Sequence, residues 1–124
     1  MRYIVLLEGT APLGPPPADL MDGILALGDE ATRAGALVDN AGLAPSAAGA
    51  LVEVRGGDLT VTDGPFAEAR EMISYAVYET SSKEEAVEWT SRFLQLHLDR
   101  WTGWEGSGRV LKVMGPEDFA ALQG

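Results

Sequence analysis

The chain has 124 residues, enough for one domain and one hydrophobic core but not for a second. Its 46% hydrophobic and 23% charged content is ordinary for a globular protein, while 19 acidic against 9 basic residues leave a formal net charge of −10. That sign disfavours nucleic acid and anionic membrane as partners, and the absence of cysteine excludes disulfides, thiolate catalysis and zinc–sulfur sites.

The first element is a short, mostly apolar strand over residues 2–8, expected in a central position buried on both faces. Its apolar run is broken at Glu8, too soon for a signal peptide or for a span of about 20 apolar residues, so a cytoplasmic first strand is expected. Gly9 to Pro17 contains Gly14-Pro15-Pro16-Pro17 and reads as a loop entering a helix, with Pro17 in the first turn. From 18 to 34, Leu20, Ile24, Leu27 and Ala31 recur at spacings of three and four, the period of an amphipathic helix, and Gly35 supplies its stop.

Residues 36–38 begin an extended segment, and 39–49 read as an ordered loop. Residues 51–55 and 59–62 read as paired strands joined tightly at Gly56-Gly57-Asp58, and Asp63-Gly64-Pro65-Phe66 as a turn. Residues 72–79 form a further strand. Ser82 with Glu85 predicts a capping box that opens a helix reaching about Leu98. Residues 109–114 are the last strand, and Pro116 starts a short C-terminal turn. The order β-α-β-β-β-α-β is that of an α+β, ferredoxin-like split arrangement with an added hairpin. Helices are expected on one face of an antiparallel sheet, with a second copy of the chain covering the other.

The segment Val61-Thr62-Asp63-Gly64-Pro65-Phe66-Ala67-Glu68-Ala69-Arg70-Glu71 resembles the signature of the YCII-related DGPF family. Ala41-Gly42-Leu43-Ala44-Pro45 resembles that family's Gly-Leu-x-Pro loop. Ser82-Lys83-Glu84-Glu85-Ala86, Phe93-Leu94-Gln95-Leu96-His97, Trp101-Thr102-Gly103-Trp104-Glu105-Gly106 and Gly115-Pro116-Glu117-Asp118-Phe119 match one branch of it. The matches run in order along nearly the whole chain. The resemblance implies a dimeric α+β barrel. Some of the wider group resemble acid–base lyases acting on small rings, and other relatives are encoded beside alternative sigma factors. This chain departs from the family at Ala69 and Arg70, where Thr and Lys are commoner. It departs from the branch at Thr102, where Pro is usual, and at Ser107, Gly108, Arg109 and Leu111.

His97 is the only histidine. An imidazole is the natural general acid or base near neutrality, and it is equally a half-buried side chain held by one backbone hydrogen bond. Asp63 can hold its turn by bonding downstream amides, or it can orient His97, a role also open to Glu68. Trp101 and Trp104 flank Gly103; two tryptophans so placed stack a planar ligand, plug a helix end or fill a dimer interface. Glu105 beside them is a candidate carboxylate. Tyr75 and Tyr78 fall on opposite faces of their strand, so only one of them can look into a given cleft. A single histidine without paired-ligand spacing gives no metal site, and no phosphate-loop or nucleotide fingerprint occurs.

Two functions follow as expectations. One is a cofactor-independent lyase, isomerase or cyclase for a small ring-containing organic molecule. There His97 moves the proton, Asp63 or Glu105 orients it, and Trp101, Trp104 and Tyr75 hold the ring. The other is a non-catalytic ligand-binding or accessory module linked to a sigma factor.

Overall fold

A computed structural model describes residues 1–10, 14–68 and 70–123. Ala11–Leu13 of the loop after the first strand, Ala69 of the Asp-Gly-Pro-Phe signature segment, and Gly124 lie outside the described residues. The elements are β1 (Arg2–Thr10), α1 (Ala18–Arg33), β2 (Leu37–Gly42), a 3₁₀ turn (Ser46–Ala48), β3 (Ala50–Arg55), β4 (Asp58–Asp63), β5 (Arg70–Glu79), α2 (Lys83–Arg100), β6 (Gly106–Lys112) and α3 (Pro116–Gln123). The fold is α+β with antiparallel strands. Among the described residues no helix is long and apolar enough to cross a membrane.

Four strands form the main sheet in the order β2-β5-β1-β6, each antiparallel to its neighbours. The pleat divides β1 into two sets of side chains. Tyr3, Val5 and Leu7 are buried beneath the helices, while Ile4 and Leu6 on the reverse face are only half-buried. The expected central position of β1 is therefore found, but in a single chain only one of its faces is closed. The register carries Ala76, Tyr78 and Val110 onto the helix side and Val77, Tyr75 and Leu111 onto the open side.

α1 buries Leu20, Leu27 and Ala31, the positions its period selects, with Ile24 half-buried. It has no side-chain N-cap; Pro17 is the N-cap residue itself, and Asp19 complements the positive end of the helix. Its C-terminus closes as a Schellman motif. Gly35, at φ 74°, donates to Thr32 O at 3.0 Å and Ala36 to Ala31 O at 2.9 Å. At α2, Ser82 Oγ accepts the Glu85 amide at 3.2 Å. The return arm of the expected capping box lands one residue early: Glu85 accepts from the Ser81 amide at 3.0 Å and the Ser81 hydroxyl at 2.8 Å.

The segment read as a loop from 39 to 49 is a strand as far as Gly42. A bulge at Val38, between the Leu37–Tyr78 and Asp39–Val77 pairs, breaks the two-residue alternation by which a strand is recognised. The C-terminal turn is longer than expected: α3 runs to Gln123, and Asp118 accepts the Gly115 amide at 2.7 Å. β3 and β4 form a separate two-stranded arm closed by Gly56 and Gly57, at φ 59° and 85°. Two consecutive positive angles are what a two-residue hairpin of this twist requires. One face of the arm presents Val52, Val54, Leu59 and Val61 to solvent.

Leu7, at 2% exposure, is one of the two largest fully buried side chains. Leu7→Ala is expected to lower the unfolding free energy by about 2–5 kcal/mol. Leu98→Ala, at a 70% exposed position, should change it by no more than about 0.5 kcal/mol. Urea unfolding of the two variants checks both values.

Candidate functional site

A cavity of about 320 Å³ lies between α1, α2 and the helix side of the sheet. α1 contributes Leu20, Ile24 and Leu27, and β1 contributes Val5 and Leu7. α2 contributes Phe93 and His97, four apart and so one turn apart on the same face, and Trp101, the residue that caps its C-terminus, also lines the cavity. The polar side chains on its walls are few: Asn40, Ser74, Tyr78, Thr90, His97 and the indole N–H of Trp101.

His97 is 3% exposed, and its Nδ1 lies 2.9 Å from the carbonyl oxygen of Phe93. A carbonyl can only accept, so Nδ1 carries the proton and donates it. In the neutral ring Nε2 is then the free lone-pair nitrogen, and among the described residues it has no hydrogen-bond partner. Burial pushes the imidazole below its ordinary value of 6.5, and the bond to Phe93 opposes this in part. Neutral imidazole is therefore the resting form around pH 7.

Aromatic rings fix the imidazole from two sides. Phe93 meets it edge-on with centroids 4.8 Å apart, and Trp104 lies against it at 4.6 Å. Trp101 stacks on Trp104 at 6.3 Å and 19°. Trp104 can come this close because it rests over Gly106, where a Cβ would collide with the indole, and beside Gly9, where a Cβ would crowd it; the two glycines pair near the end of β1 and at the start of β6. Trp101 borders the cavity, whereas Trp104 supports His97 from behind.

The expected carboxylate partners are elsewhere. Asp63 ends β4 and is exposed, and it lines no part of the cavity. Among the described residues its side chain makes no hydrogen bond to its turn, where Ser46 makes the side-chain contacts. Ser46 Oγ accepts the Phe66 amide at 3.0 Å and donates to Glu71 at 2.7 Å, and the Gly64 amide donates to Gly49 O at 2.9 Å. Glu68 is likewise exposed. Glu105 is exposed, and its backbone carbonyl accepts the Thr10 amide at 3.1 Å. Among the described residues none of the three carboxylates touches His97.

Tyr75 borders the cavity through its place in β5, but its side chain belongs to the open face, where its hydroxyl donates to Asp39 at 3.0 Å. That bond, and the nearby negative charge, raise the phenol's pKa. Tyr78 is the tyrosine on the helix side; it is buried, and burial raises its pKa. Asn40 and Ser74 escaped the sequence reading because Asn40 fell in the segment taken as loop. Ser74 follows a register shift at Ile73 that breaks the alternation of β5. Among the described residues no three metal-ligating side chains converge. No family model matches the sequence, and no curated protein matches it.

Proposed function

We propose that the protein acts without a cofactor on a compact, mostly apolar, ring-containing molecule bound between α1, α2 and the sheet, with His97 as its general base. One observation carries this reading: the lone histidine, its Nδ1 fixed by the Phe93 carbonyl and its Nε2 without a hydrogen-bond partner among the described residues, lines an apolar cavity. A neutral, low-pKa imidazole is already in the form a base needs at neutral pH. Asn40 and Ser74 supply the polar groups able to hold a developing oxyanion. The imidazolium that forms is then balanced by the anion of the substrate itself.

Deuterium exchange at the carbon beside the carbonyl of 2-hydroxycyclohexanone, followed by NMR, tests for such a base. The exchange is expected to depend on His97, and an equally active His97→Gln protein would sink the proposal.

The strand order β2-β5-β1-β6, with the β3–β4 arm set aside, is the order of a ferredoxin-like sheet. With the Asp-Gly-Pro-Phe segment it supports membership of the YCII-related family and its dimeric barrel. In that reading a second copy covers the open face that carries Leu6, Val77 and Leu111. Sedimentation equilibrium should return twice the chain mass for the parent and the chain mass for Val77→Arg; a monomeric parent at micromolar concentration removes the dimer.

The missing carboxylate favours a second reading, a ligand-binding accessory module that uses the same cavity without turnover. It predicts saturable binding of ring compounds with no exchange above buffer.

A further inference from the structure

We propose that the cavity selects an uncharged ring compound that donates a hydrogen bond from a hydroxyl or ring N–H to Nε2 of His97. This rests on the cavity being the functional site and adds the chemistry by which it chooses its occupant.

Charge is the first filter. Among the described residues no Asp, Glu, Lys or Arg side chain lines the cavity, so an ionic ligand would lose its hydration and find no counter-charge. Hydrogen-bond sense is the second. The hydroxyls and amide of Tyr78, Ser74 and Asn40 can both give and accept, so they discriminate little. The Thr90 hydroxyl donates to Ala86 O at 2.8 Å and has only lone pairs left to offer. His97 is also fixed in one sense, because its Nδ1 proton is committed to Phe93 and its other nitrogen can only accept. Shape is the third filter. Phe93 and Trp101 supply flat apolar surface to the same cavity, and about 320 Å³ lies at the small end of the range for ligand pockets. A ligand that places a carbonyl, ether or carboxylate oxygen against Nε2 sets lone pair against lone pair. A hydroxyl or N–H there gives a partner to a nitrogen that has none among the described residues.

Four probes of similar size separate these terms by calorimetric titration of the full chain at neutral pH: toluene, anisole, phenol and benzoate. Anisole is less well hydrated than phenol, so an apolar cavity without a fixed acceptor would prefer anisole. We expect the reverse, with phenol bound roughly tenfold or more tighter than anisole, as a satisfied buried acceptor implies, and benzoate bound far more weakly than either. Anisole matching or exceeding phenol overturns the proposal, as does benzoate matching phenol; toluene or anisole binding would still leave the cavity standing as the site. Failure of all four to bind overturns both ideas. In His97→Leu the phenol preference should vanish while toluene still binds, and an unchanged preference would also overturn the assignment. Where that variant does not fold, Thr90→Val, which removes the cavity's other fixed acceptor, decides the assignment: the phenol preference should survive it, and its loss there would overturn the proposal.

Discussion

His97→Gln is expected to slow base-catalysed exchange by about 10²–10⁴-fold, the range over which a positioned acid–base group acts. Gln keeps a donor for the Phe93 carbonyl but has no lone pair basic enough to take a proton, so the loss should fall on the chemical step rather than on folding. The pH dependence of stability provides an independent readout. Burial holds the imidazole below 6.5, so the unfolded chain takes up a proton at a higher pH than the folded chain does. The contribution of neutral His97 is therefore complete above about 6.5 and is lost as pH falls from there toward the folded value. Thermal unfolding followed from pH 7 downward should show this decline in the parent. In His97→Gln that segment should be flat, leaving only the carboxylate titrations at lower pH. A parent whose stability is level through the same interval would contradict the buried neutral imidazole.

Gly64→Ala should be among the most destabilising single-methyl additions in the chain. A Cβ at Gly64 would overlap the carbonyl oxygen of Ser46 and crowd its carbonyl carbon, which are backbone atoms that cannot rotate away. The Gly64 amide is itself bonded to Gly49 O, and Ser46 is tied to Phe66 and Glu71, so any shift must break part of that set. We expect a loss at or above the upper end of the ~1–3 kcal/mol usual for overpacking. Gly49→Ala is the control. Its Cβ would sit 3.6 Å from the same Ser46 oxygen, an ordinary contact, and its backbone is extended. Urea unfolding that placed the two variants level would mean that the turn does not rest on Ser46.

The parts of the fold legible in the sequence are those fixed by nearby residues. The period of α1, the glycine after it, the Ser82 cap and the Gly56-Gly57 hairpin are all decided within a few positions. β2 was cut short because its bulge is set by pairing with β5, about 40 residues away, and leaves no local trace. The site divides in the same way. Phe93 and His97 share a helix face, so spacing alone puts them together, with Trp101 following at the helix end. Whether Asp63 or Glu105 reaches them depends on where the hairpin arm and the end of β6 sit, and neither position is encoded in adjacent residues. Tyr75 and Tyr78 were correctly assigned to opposite faces. Choosing between them needed the register with β1, which turns Tyr78 inward.

The central place of β1 also shapes how the chain is made. It leaves the ribosome ahead of every other strand of its sheet, and its two partners, β5 and β6, begin only at Arg70 and Gly106. Through most of synthesis β1 has no strand beside it, while the β3–β4 arm can close as soon as Asp63 emerges. The sheet is therefore completed after translation of β6, and its assembly is governed by closing long loops rather than by local order. Until then the nascent chain carries Val5 and Leu7 uncovered, the interval in which a holding chaperone has most to protect.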